Sequence, residues 1–350
     1  MSTKADAVTM RAIRFDAPGG PDVLYVGTAD TPVPGPGEVL IEVQAAGVNR
    51  PDISQRLGRY PVPADASPIL GLEVAGVVAG TGDAQSPFRM GDRVTALVHG
   101  GGYAEYCCVD ARHVMRIPGT LSVEEAAAFP EAAMTVEFNM VMRAGLRAGE
   151  TVLVHGGTSG IGTHAVARAR SLGASVITTS RGAEKARYCR EAGASLAIDA
   201  SEGDWTEAVI RHTGGRGVDV VLDMVGGVYA DRNFACMAED GRYALISLQG
   251  GARAEINLEP VLRRRLMLVG STLRPLSADW KAAIVERVTR DVVPHLAEGR
   301  LVPHLHAVFP LEEAAEAHRL LEINTHHGKI VLTMSRPNLS GTRFGTEEPR

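Results

Sequence analysis

The sequence predicts an α/β protein in two parts: a doubly wound parallel sheet of dinucleotide-binding type, and a β-rich, barrel-like domain. Three observations predict it. Strand and helix patterns alternate from residue 151 onward. A glycine-rich turn, GGTSGIG, joins the first of those strands to its helix. Residues 10–125 carry short strand patterns broken by proline and glycine, and two more strand patterns return near the end. The expected division is 10–130 with 304–334 for the β-rich domain and 131–303 for the nucleotide domain. Residues 1–9 read as a loose leader. Residues 335–350 are polar, have little to bury and read as a disordered tail.

In chain order, MRAIRF and VLYVGTA read as strands joined at Pro18-Gly19-Gly20-Pro21. EVLIEVQAAGV alternates apolar and polar positions, as a half-buried strand does. NRPDISQRLGRYPVP reads as a short helix and loop. ILGLEVAGVVAGTG, GDRVTALV and GGYAEYCCVD continue the antiparallel β pattern. SVEEAAAFPEAAMTVEFNMVMRAGL is helical, and Pro130 divides it in two. TVLVH, SVITTS, SLAID, GVDVVLDMVGG, GRYALISL and LMLVGSTL are six strands alternating with helices, hence the doubly wound sheet. SADWKAAIVERVTRDVVPHLAEG reads as one long amphipathic helix. HLHAVFP and GKIVLTM are strands with a helix between them, expected to return to the first domain.

The turn carries the first chemical signal. Gly156, Gly157, Gly160 and Gly162 let the backbone turn sharply and approach a pyrophosphate. The N–H groups and dipole of the following helix stabilise its charge. The second strand then ends Thr178, Thr179, Ser180, Arg181, with no acid to accept from ribose hydroxyls. Arg181 and Lys185 suit a 2′-phosphate, which favours NADPH over NADH. The alternative is that both cations are merely solvated.

Net charge is −5, from 36 Lys and Arg against 41 Asp and Glu. That gives no reason to expect nucleic acid or a membrane as partner. Four cysteines show no C-x-x-C spacing, which suits a cytoplasmic protein. The start MSTKADAVTM lacks the apolar core of a signal peptide. His304 and His306 share a strand face, but two solvated histidines are a better reading than a metal site.

GVNRPDISQRLGRYPVP, GLEVAGVV, GDRVTAL, GGYAEY, FPEAAMT, VLVHGGTSGIG, VDVVLDMVGG and HHGKIVL, in that order, resemble the medium-chain dehydrogenase/reductase superfamily, in its zinc-free quinone oxidoreductase branch. The resemblance covers residues 10–334. It implies a GroES-like catalytic domain beside a Rossmann domain, NADPH in the cleft between them, and a homodimer through the last Rossmann strand, here Leu266–Leu273. Asn49 and Leu72 stand where zinc-dependent relatives carry Cys and His, and Asn and Leu do not make a zinc site. Without a Lewis acid, an easily reduced acceptor such as a quinone is expected. Asn49 is then the candidate for orienting nicotinamide or acceptor, against a plain turn-stabilising role. Tyr60 matches a substrate-side tyrosine that donates to the acceptor oxygen, against a packed loop residue. For the cofactor, Thr135, Gly157, Ser159, Gly160, Ile161, Gly162 and Lys185 match family positions. Arg274 matches an arginine found near the cofactor phosphate in some members. Ser247 and Leu248 follow strand five and are expected on the nicotinamide side. Arg181 rests on its charge and place alone.

The competing readings are an NADPH-dependent enone or enal reductase, and a non-enzymatic NADPH-binding structural or RNA-binding protein. Acceptor choice depends on cleft shape, which the sequence does not give. The acidic balance weakens the RNA version.

Overall fold

The structure, a computed structural model, describes residues 8–334. The leader through residue 7 and the tail from residue 335 lie outside the described residues. The expected leader gives up its last residue: β1 runs Thr9–Arg14 and pairs antiparallel with β2, Tyr25–Asp30.

The main β-rich sheet is built on β3, Glu38–Val48. α1, Arg50–Arg56, follows directly. Then come β4 (Glu73–Thr81), β5 (Arg93–Leu97), β6 (Tyr106–Asp110) and β7 (Val114–Arg116), the last not expected from sequence. One edge of β3 pairs with β4; the other is shared by β6 and β15, Lys329–Thr333. Two register shifts along the β3–β4 pair mark bulges, which bend and twist a strand. Cys107 is buried and Cys108 half-buried, as alternation on β6 requires. Helix pattern resumes at α2, Val123–Ala127, and α3, Pro130–Val136, with Pro130 at the start of the second helix. A π-helical turn over Glu137–Arg143 continues α3.

The second sheet is parallel throughout. Its strands are β8 (Thr151–His155), β9 (Ser175–Ser180), β10 (Leu196–Asp199), β11 (Val218–Asp223), β12 (Met237–Leu245) and β13 (Met267–Gly270). The spatial order β10-β9-β8-β11-β12-β13 reverses direction between β8 and β11. In such sheets ligands bind at that reversal, beyond the strands' carboxyl ends. Every residue of β8 and β11 is buried, since helices cover both faces. α4 (Gly160–Ser171) and α5 (Ala183–Glu191) follow β8 and β9.

One expectation needs correction. The long helix after β13 is two helices, α6 (Ala278–Asp291) and α7 (Val293–Ala297), because Pro294 cannot donate to the helix ladder. β14, Leu305–Pro310, pairs parallel with β15 because α8, Ala314–Ile323, makes the crossover. Among the described residues no helix is long and apolar enough to cross a membrane.

Candidate active site

Four segments meet at one buried charge. β3 ends at Val48, and Asn49 starts α1, its backbone N–H donating to Asp52 at 2.8 Å. The Asn49 side chain points elsewhere. Its Nδ2 donates to Glu73 Oε1 at 2.8 Å, and its Oδ1 accepts from Lys329 Nζ at 2.6 Å. Lys329 Nζ also donates to Glu73 Oε1 at 2.5 Å. The other carboxylate oxygen accepts from the Glu131 backbone N–H at 2.9 Å. Glu73 is 0% and Lys329 5% exposed, so the two opposite charges, with Asn49 and the Glu131 N–H, offset each other's loss of water. Gly47 makes room: a Cβ there would lie 2.0 Å from Glu73 Oε1.

The glycine turn closes over this cluster. Gly328 N–H donates to Thr158 carbonyl at 2.7 Å, and a Cβ on Gly160 would lie 2.2 Å from Lys329 Cδ. The last strand of the β-rich sheet thus abuts the start of α4. Within the turn, a Cβ on Gly157 would meet Thr178 and Cys189 at 2.8 Å, and one on Gly162 the Gly156 carbonyl at 2.2 Å. Ser159 Oγ caps α4 by accepting from Gly162 N–H at 3.0 Å. The N–H groups of Gly160 and Ile161, before it, have no carbonyl one turn back to bind. That cradle fits a pyrophosphate.

Past β9, Arg181 is exposed and Lys185 donates to the Asn324 carbonyl at 2.5 Å. Burial lowers the Lys185 pKa, and the charges of Arg181 and Arg50 add to the effect. Arg50, from α1, was not singled out from sequence; it adds a third cation here. Asp199, at the end of β10, is occupied by Gly182 and Ser201 N–H groups at 2.8 and 2.9 Å.

A cavity of about 660 Å³ opens beside the Glu73 cluster, with Leu72, Leu97, Glu131, Arg274, Leu276 and Lys281 in its wall. Burial, reinforced by the Glu73 charge, pushes the Glu131 carboxyl up to about 8. Burial also raises Asp52 to about 6, against hydrogen bonds from Asn49, Gly71 and Tyr103. Arg274 donates to Gln55 Oε1 at 2.7 Å and lies 5.6 Å above the Tyr60 ring. Tyr60 is half-buried there, its phenol pKa raised mainly by burial.

The structure therefore brings Asn49 to the glycine turn and Tyr60 to Arg274. Thr135 is buried one turn beyond Glu131 on α3. Ser247 and Leu248 lie beside the Gly226 turn, where a Cβ would come 2.9 Å from Leu248 Cδ2. Sequence reasoning passed over Glu73, Glu131 and Lys329. A signal existed: a lone carboxylate in LEVAGVV and a lone ammonium in GKIVLTM interrupt apolar runs, and buried charges need partners.

Asn49, Leu72, Glu73 and the Lys329 ammonium are not a zinc donor set, because the ammonium already takes Asn49 Oδ1 and Glu73. His304 and His306 are exposed, and the His304 ring packs on Tyr188. No group of three or more metal-ligating side chains occurs among the described residues.

Residues 35–119 match the family described as alcohol dehydrogenase GroES-like domain, and residues 160–290 the family described as zinc-binding dehydrogenase. The chain is 31% identical, over 97% of its length, to a mycocerosic acid synthase-like polyketide synthase of Mycobacterium tuberculosis, but spans only 16% of that protein. It is 31% identical to a quinone oxidoreductase of Lama guanicoe, covering 93% of this chain and 98% of that one. The Escherichia coli quinone oxidoreductase complexed with NADPH superposes with a TM-score of 0.83 at 29% identity, over 93% of this chain and 100% of that one.

Proposed function

Because the chain belongs to the medium-chain dehydrogenase/reductase superfamily, in its quinone oxidoreductase branch, we propose that it is an NADPH-dependent reductase of quinones that works without zinc. The observation that carries this reading is the contact of the Asn49–Glu73–Lys329 cluster with the Gly160 turn. It sets an amide, held by two charged partners, beside a phosphate cradle and next to a cavity.

NADPH, when bound, supplies a hydride, which is two electrons and one proton; the reduced acceptor takes a second proton from elsewhere. The chain's own residues do the rest. The N–H groups of Gly160 and Ile161 and the α4 dipole hold the pyrophosphate. Arg181 and Lys185 pair with the 2′-phosphate. Thr135, Ser247 and Leu248 line the cofactor's course. Asn49 is fixed by Glu73 and Lys329 and orients the ring amide or the acceptor carbonyl. Glu131, in the cavity wall, and Tyr60, against Arg274, are the proton donors, and Glu131 holds its proton up to about pH 8.

A homodimer through β13 belongs to the same reading. β13 is the sheet edge, and Met267 and Leu268 are 52% and 55% exposed there. A cytoplasmic setting fits the four cysteines, all of them free.

The test is NADPH oxidation, followed by loss of nicotinamide absorbance, with a benzoquinone, a cyclic enone and an alkenal as acceptors. NADH and EDTA serve as controls. Quinone turnover that prefers NADPH and ignores EDTA is expected. Turnover of the enone or alkenal alone assigns the protein as a C=C reductase. NADPH binding with no turnover of any acceptor refutes the enzymatic reading.

A further inference from the structure

The cavity wall holds two buried cations with no anion of their own. Arg274 is 5% and Lys281 7% exposed. Arg274 spends its donors on neutral groups: Nη1 on Gln55 Oε1 at 2.7 Å and Nη2 on the His99 carbonyl at 3.3 Å. Its Nε is buried and has no hydrogen-bond partner among the described residues. Lys281 Nζ lies 3.2 Å from His99 Nδ1. An ammonium only donates, so Nδ1 accepts and the ring proton sits on Nε2, facing Asp65 at 3.4 Å. Neither cation is within ion-pair distance of a carboxylate among the described residues. The carboxyls whose charge reaches them do not pair with them: Asp52 and Glu131 act on Arg274 from beyond ion-pair distance, and Asp65, which acts on Lys281, is 84% exposed at its side chain and engages the histidine.

Burying an unpaired cation is costly, and two beside one loop need a shared anion to offset that cost. The loop is shaped for it: Gly100 and Gly101 have φ of +113° and +90°, and a Cβ on Gly100 would lie 3.1 Å from Arg274 Nη2. Leu72, Leu97 and Leu276 give the same cavity apolar wall, while the carboxyls of Asp30, Glu38, Asp110 and Glu131 line it elsewhere.

From this we infer that the acceptor carries an anionic group, a carboxylate in the first instance, bound between Arg274 and Lys281 with its conjugated apolar body toward Leu72 and Glu131. A guanidinium fork matches a carboxylate in two hydrogen bonds, and Arg274 Nη1 and Nη2 each carry a donor proton beyond those given to Gln55 and His99. The cofactor's phosphates are the rival source of the anion. None of the turn residues Gly157–Gly162, nor Arg181 or Lys185, lines this cavity, which favours the acceptor. The inference rests on the reductase reading above and names the substrate class for the same site.

The experiment compares a naphthoquinone bearing a propanoate side chain with its methyl ester, in wild type, Lys281→Met and Lys281→Arg. Wild type is expected to favour the carboxylate by about ten-fold or more in kcat/KM. Lys281→Met removes that preference, and Lys281→Arg restores much of it. Equal kcat/KM for acid and ester in wild type overturns the inference, as does a preference unmoved by Lys281→Met. A Lys281→Met variant that weakens NADPH binding and leaves the acid-to-ester ratio alone assigns the cations to the cofactor instead. A calorimetric titration of 2-naphthoate against 2-naphthamide separates this inference from the reductase reading. If no quinone turns over but naphthoate binds tighter in wild type than in Lys281→Met, the anion site stands without the activity. Equal binding of the two probes overturns it.

Discussion

Replacing Lys329 by Met tests whether the Glu73 cluster is held by charge. Met is close to Lys in length and fills the same strand position, so the change removes the ammonium and little else. Glu73 then keeps two donors, Asn49 Nδ2 at 2.8 Å and the Glu131 N–H at 2.9 Å, but loses the cation at 2.5 Å. At 0% exposure water cannot replace it. Breaking a buried pair this way costs about 3–5 kcal/mol, a large share of the ~5–15 kcal/mol that holds a typical domain together. Glu73→Gln with Lys329→Met removes both charges. The double variant should recover about 1–3 kcal/mol of the loss. Urea unfolding followed by circular dichroism measures all three proteins. A single-variant cost below about 1 kcal/mol, the value of an exposed ion pair, would refute the reasoning. A double variant less stable than Lys329→Met would do the same.

Other outcomes follow from the same geometry. Lys185→Ala should weaken NADPH binding by about 10–100-fold and leave NADH binding nearly unchanged, read by nicotinamide fluorescence titration; equal weakening would remove Lys185 from the 2′-phosphate. Gly160→Ala forces a methyl against Lys329 Cδ, so it should cost about 1–3 kcal/mol in stability and impair NADPH binding as well. Glu131 sets a pH dependence. Its folded pKa, about 8, lies above its ordinary 4.5, so the folded state holds the proton more tightly. The stability this confers is full below the ordinary value and is lost as pH rises to about 8. Glu131→Gln removes that slope, so its stability relative to wild type should rise between pH 5 and pH 8, by denaturation at each pH. A flat difference would show that Glu131 titrates normally.

The Rossmann half was legible because its signals are local. Short apolar runs, a glycine turn and a missing acid at the end of β9 are neighbours in sequence, and each has a direct backbone or charge consequence. Asn49 was singled out through the resemblance, because it stands where zinc-dependent relatives carry Cys. The break at Pro294 was legible in principle, since one residue decides it. What only the tertiary structure decided is which charges meet. Asn49, Glu73, Glu131 and Lys329 are scattered over nearly the whole chain, and no spacing links them. Arg274 was expected near the cofactor phosphate and Lys281 was not singled out, but the fold buries both beside His99 and gives neither a carboxylate within ion-pair distance. Sequence states which groups are charged, but burial sets what each charge costs, and that cost is what makes a buried charge a binding site.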